Sequence, residues 1–127
     1  MDRNDQPSIR LTMLPKDTNG VGTIFGGVIL SNIDLAGAIE ARRHTSQKVV
    51  TVSLKEVTFI SPVFVGDIVS FYTETTKVGK TSITIQVRVV VDRWKDGFQT
   101  TLDVTEATVV YVAIDENNKP IVINSYI

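Results

Sequence analysis

The sequence predicts an α+β domain in which one long central helix is wrapped by a curved antiparallel sheet of about five strands. Three observations carry the prediction. Val28 to Ala41 is apolar nearly all the way round, which marks a helix enclosed by other structure. From Val49 onward the hydrophobic pattern switches to period two, the signature of strands. The long strands are separated by short turn signals rather than by crossover segments, so the sheet is expected to be antiparallel and its strands joined by hairpins.

Taken in order, residues 1–7 read as a disordered lead and 8–127 as one domain. Ser8 to Leu14 alternates Ile9, Leu11 and Met13 with polar partners, which fits a short strand. Pro15, Asp17, Asn19, Gly20 and Gly22 then supply turn chemistry. The helix follows Ile24-Phe25-Gly26-Gly27 and ends at Arg42-Arg43-His44, cations that suit the negative end of the helix dipole. His44, the single histidine, reads there as structural or solvated rather than catalytic. Val49 to Ile60 is a β-branched strand closed by Ser61-Pro62. Gly66-Asp67 marks a turn, and Ile68 to Val78 is the next strand. Gly79-Lys80 reads as a tight hairpin, leading into the alternation Ile83, Ile85, Val87, Val89, Val91. Asp96-Gly97 is a second hairpin signal, and Thr100 to Ile114 is the last long strand. The tail Ile121 to Ile127 is either loose or briefly paired. A sheet curled round a single helix leaves edges and a helix flank uncovered, so dimerisation is the expected remedy.

The composition narrows the function classes. At 127 residues with 43% hydrophobic and 21% charged side chains, the chain has an ordinary globular make-up and enough length for a real core. A formal net charge of −1 with scattered cations gives no nucleic-acid footprint. With no cysteine there is no disulfide, thiolate metal site or Cys nucleophile. The apolar helix is too short and interrupted to cross a bilayer, and the polar start MDRNDQPS lacks a secretory segment. A soluble cytoplasmic protein is the default expectation.

Midway along the helix stands a carboxylate, Asp34, between Ile33 and Leu35. Ionised there, it needs stabilisation, and burial would raise its pKa towards a useful general base. Two readings stay open on the residues alone. Asp34 is a catalytic base or nucleophile, or it is a buried aspartate satisfied by hydrogen bonds in a dimer interface.

The ordered set Asp17-Thr18-Asn19, Gly22, Ile24-Phe25-Gly26-Gly27, Ser31, Asp34 and Ala36-Gly37 resembles the hotdog-fold acyl-CoA thioesterases of the YciA type. Val49-Val50-Thr51-Val52, Phe59-Ile60-Ser61-Pro62-Val63, Val65-Gly66-Asp67, Val78-Gly79-Lys80-Thr81-Ser82 and Thr105-Glu106-Ala107 extend the likeness from Leu11 to Pro120. Many such proteins carry an acidic residue just before Ile-Phe-Gly-Gly, where this chain has Thr23. That departure touches the loop's shape and leaves the two polar site positions in place.

The resemblance implies hydrolysis of fatty acyl-CoA to free acid and CoA. Asp34 would be general base or nucleophile, with Asn19 contributed by the opposite subunit. Asn19 would hold the water or polarise the carbonyl; without the resemblance, its Asn-Gly pair reads as a turn. Gly26 and Gly27, at the helix start, are assigned to the oxyanion, since free N–H groups there favour negative charge and glycine allows close approach. Lys80, Thr81, Ser82, Arg43, Arg42 and Lys55 are candidates for the CoA phosphates, although each reads more readily as a solvated surface residue. Trp94 and Tyr72 are candidates for the adenine or acyl chain, though strand packing accounts for them too. Ser31 either supports Asp34 or bonds back to a helix carbonyl. No cofactor is implied, because CoA enters as part of the substrate. The resemblance also implies a homo-oligomer, a dimer at least and a hexamer built as a trimer of dimers.

The rival readings are a dehydratase or hydratase of the same fold, a non-catalytic acyl-CoA sensor, and a scaffold. The first needs a histidine near the helix start, which this chain lacks. Retention of both Asn19 and Asp34 weighs against the second. Bound CoA in the purified protein would weigh against the third.

Overall fold

The computed structural model describes residues 6–124. The chain runs β1 (Ile9–Thr12), a 3-10 turn at Pro15–Asp17, α1 (Gly26–Ala41), β2 (Val49–Phe59), β3 (Ile68–Val78), β4 (Ser82–Lys95) and β5 (Phe98–Ala113). Five strands form one antiparallel sheet that packs against α1, which is the α+β hotdog arrangement expected. The helix begins two residues earlier than its apolar run, because Gly26 and Gly27 form its first turn. Of the lead expected over 1–7, residues 1–5 lie outside the described residues, as do 125–127 of the tail. The described part of the tail does pair: Ile121 N–H donates to the Ala113 carbonyl and Ile123 N–H to that of Lys80.

The strand order corrects one expectation. Hairpins join β3 to β4 and β4 to β5, but not β2 to β3, for the order across the sheet is β1-β3-β4-β5-β2. β2 pairs with β5 at the far edge, Val49 opposite Ala113 and Thr58 opposite Glu106. Residues 60–67 therefore cross from one side of the β4–β5 pair to the other. Ser61-Pro62 and Gly66-Asp67 are genuine turns, but the segment between them buries Val63 instead of closing a hairpin. The Val63 carbonyl accepts the Ile24 N–H at 2.8 Å, tying the crossing to the entrance of α1. Arg93 of β4 holds it from the other side. Its Nε donates to Asp67 Oδ1 at 2.9 Å and one terminal nitrogen to Oδ2 at 2.7 Å, and it also bonds the Pro62 carbonyl. This bidentate contact raises the Arg93 pKa, so the guanidinium stays charged. The Asp96-Gly97 hairpin forms as expected, with positive φ of 54° and 81° at its two central residues.

The core lies between α1 and the sheet. Ile83, Ile85, Val87, Val89 and Val91 of β4 line its floor with Val104, Ala107, Val109 and Tyr111 of β5, all essentially buried. From the helix come Ile29, Ile33, Ala36 and Ala41. Each large side chain so buried contributes about 1.5–3 kcal/mol. One stripe of the helix stays open in the single chain, where Leu35 is 58% and Ile39 40% exposed. Val52 and Leu54 of the edge strand β2 are exposed as well. At the other end of α1 the buried Glu40 gathers a polar chain. Thr75 Oγ1 donates to Glu40 at 2.9 Å, so its oxygen is left to accept the His44 Nε2–H at 2.8 Å. His44 is thus a buried structural residue rather than a solvated one. Among the described residues no helix is long and apolar enough to cross a membrane.

Candidate active site

Asp34 sits in the middle of α1, half-buried, with two donors on one carboxylate oxygen. Thr51 of β2 donates its hydroxyl to Oδ1 at 2.6 Å. The Tyr111 hydroxyl lies 3.2 Å from the same oxygen and 2.6 Å from the Asp34 backbone carbonyl. Tyr111 is 1% exposed. Burial first, and then the Asp34 charge, push its pKa well above the ordinary tyrosine range, so it remains a donor. Oδ2 has no donor among the described residues, which leaves one oxygen of a fixed carboxylate for chemistry. Ser31 takes no part: its hydroxyl donates back to the Gly27 carbonyl at 2.8 Å and lies 3.2 Å from that of Val28. The supports are Thr51 and Tyr111, which sequence reasoning missed as site residues. Thr51 stood in a quoted motif, but nothing local pointed it at Asp34.

Asn19 is built into the loop before the helix. Its Oδ1 accepts the backbone N–H groups of Val21 at 2.9 Å and Thr23 at 3.3 Å. Its Nδ2 donates to Thr23 Oγ1 at 2.8 Å, and its own N–H donates to the Thr23 carbonyl. Gly22, at φ 92°, allows the chain to double back within these few residues. These bonds make Asn19 the turn residue its Asn-Gly pair suggests. The carboxamide oxygen is spent on the loop, while one Nδ2 hydrogen is left over.

Gly26 and Gly27 form the first turn of α1 behind Phe25, whose side chain makes no capping hydrogen bond. The first N–H groups of a helix have no intrahelical partner and gather positive charge. Beside them opens a cavity of about 310 Å³, lined by Thr23, Ile24, Gly26, Ile29 and residues 59–63. Its walls are chiefly apolar, and its volume is at the small end of the ~300–1,000 Å³ typical of ligand pockets.

These parts do not meet within one chain. Asp34 lies eight residues beyond Gly26, about 12 Å along the helix at 1.5 Å per residue. Both cannot touch the same carbonyl group unless a second subunit supplies one of them. The cationic candidates stand on different elements. Lys80, Thr81 and Ser82 form the β3–β4 turn, whose backbone bonds residues 113 and 123, while Arg43 follows the C-terminal end of α1. Arg43 Nε lies 3.6 Å from Glu40. Lys55 pairs with Thr108, on the sheet face turned away from the helix. Tyr72 is likewise on that outer face, under the Arg88 guanidinium, and Trp94 is exposed beside the Asp96-Gly97 turn.

A family model described as the thioesterase superfamily matches residues 21–93. The acyl-CoA thioester hydrolase YciA of Salmonella typhimurium is 40% identical over 123 residues, 94% of this chain and 92% of that protein. A solved hexameric hotdog fold thioesterase of Campylobacter jejuni is 43% identical, with a TM-score of 0.90 over 98% of this chain and 93% of that one. A hexameric thioesterase from Yersinia pestis is 40% identical, with a TM-score of 0.85 over 94% and 96% of the two chains. In architecture and in sequence over nearly its full length, the chain belongs to the hotdog-fold thioesterase superfamily, among relatives of the YciA type.

Proposed function

We propose that the protein is a homo-oligomeric acyl-CoA thioesterase that hydrolyses fatty acyl-CoA to the free acid and CoA in the cytoplasm. One observation carries the reading: a carboxylate fixed at one oxygen stands midway along a largely apolar helix whose glycine-rich start has no side-chain cap. The names of its relatives support it. Each site combines Asp34 of one subunit with Asn19, Gly26 and Gly27 of the other, and the assembly is a hexamer of paired subunits.

The thioester carbonyl oxygen lies against the helix-start amides and the spare Asn19 Nδ2–H, where developing negative charge is stabilised. Asp34 Oδ2 either removes a proton from the attacking water or attacks the carbonyl itself. In both routes the C–S bond breaks and CoA leaves as the thiol. The apolar cavity beside Gly26 takes the acyl chain near the carbonyl. The Lys80-Thr81-Ser82 turn, Arg43 and Lys55 stay candidates for the CoA phosphates.

Thiol release from acyl-CoAs of two to sixteen carbons tests the reading, and the cysteine-free chain adds no thiol of its own. Asp34→Ala is expected to lower kcat by about 10²–10⁴-fold while CoA binding and assembly persist. A single turnover in ¹⁸O-water identifies the nucleophilic route when label enters the Asp34 carboxylate, which happens where water opens the mixed anhydride at the Asp34 carbonyl and never in the general-base route. Binding without turnover across the whole panel by the unaltered protein would overturn the hydrolase in favour of a sensor.

A further inference from the structure

We infer that Thr23 is a positioning residue for hydrolysis, acting through Asn19 to aim its one spare amide hydrogen at the thioester carbonyl. The inference rests on the thioesterase reading above. Asn19 can be placed as a donor only if its carboxamide is oriented, and the loop orients it from both ends. Two backbone N–H groups fix Oδ1, one of them that of Thr23. The hydroxyl of the same Thr23 accepts one of the two Nδ2 hydrogens at 2.8 Å. A planar amide held at oxygen and at one N–H has its second N–H direction determined.

Thr23 also lines the apolar cavity beside Gly26, and the following residue, Ile24, is anchored to the Val63 carbonyl. It thus stands between the carbonyl donor and the place where an acyl chain enters. A preorganised donor needs such a support, because aim decides whether a hydrogen bond strengthens as charge develops. Threonine serves this purpose through its oxygen; valine has the same shape and no acceptor.

The test compares Thr23→Val, Thr23→Ser and Asn19→Ala, alone and combined, in the intact assembly. Thr23→Val is expected to lower kcat about tenfold with KM within twofold, consistent with a loss confined to the transition state. Thr23→Ser, which keeps the oxygen, should restore most of the rate. In the Asn19→Ala background Thr23→Val should have almost no further effect, since the two act as one unit. Unchanged kcat in Thr23→Val, or a full additional loss in the Asn19→Ala background, would overturn the inference. If Thr23→Val fails to assemble, the serine variant alone decides: a serine variant that assembles with a tenfold loss of its own would also overturn it. Absence of turnover in the unaltered protein would instead count against the thioesterase reading itself.

Discussion

At the scale of single residues, two hydroxyls of the sheet, from Thr51 and Tyr111, hold one oxygen of the Asp34 carboxylate. Asp34 was legible as a candidate because a carboxylate in a largely apolar helix conflicts with its surroundings, and Asn19 because the resemblance lifted it above an ordinary turn. Tyr111 was not, since alternation shows only that it faces the helix and cannot show which helical residue it meets. Yet Tyr111 joins the Asp34 carbonyl and carboxylate at once, and Gly37 leaves room for it, as a methyl there would strike the hydroxyl. Tyr111→Phe is expected to lower stability by about 1 kcal/mol through the lost hydrogen bonds. It should also lower kcat several-fold with KM little changed, as Asp34 loses one of its two tethers. Urea unfolding and steady-state thiol release would measure the two effects separately.

At the scale of elements, the types and most boundaries followed from periodicity, but the order of strands did not. Gly-Lys and Asp-Gly signals speak only about neighbours in sequence, and Ser61-Pro62 with Gly66-Asp67 suits a hairpin or a crossing equally well. What settles the matter is non-local: Val63 finds a place under the helix entrance, and Arg93 grips Asp67 from a different strand. Asp67 is almost fully buried, so removing its partner leaves a carboxylate with a backbone N–H from Phe64 as its remaining donor. Arg93→Ala is expected to destabilise the fold by roughly 3 kcal/mol, read as a lower urea midpoint with little change in slope. Arg93→Lys should recover only part of this, because an ammonium cannot reproduce the two-pronged contact.

At the scale of the whole molecule, the sequence foretold an incomplete object, and the single chain is one. A helix flank and sheet edges were expected to stay uncovered, and Leu35 and Ile39 are open while β2 forms one edge of the sheet. A second copy would cover both the apolar stripe and the edge, and would bring the two halves of the site within reach of one carbonyl. Leu35→Glu is therefore expected to shift the sedimenting species towards monomer and to abolish turnover, although Asp34, Asn19 and both glycines are untouched. A monomer that still hydrolyses acyl-CoA would contradict the shared site. The position of β2 has a further consequence, in time rather than in space. The β3–β4–β5 meander closes through short turns and can form early, whereas β2 must wait for β5, its partner from the far end of the sequence. The strand that carries Thr51 and offers the open edge is thus among the last to dock. Until β2 docks, the edge of β5 that it will cover stands open, so the pace of that last pairing sets how long a newly made chain offers an unmatched strand to its neighbours.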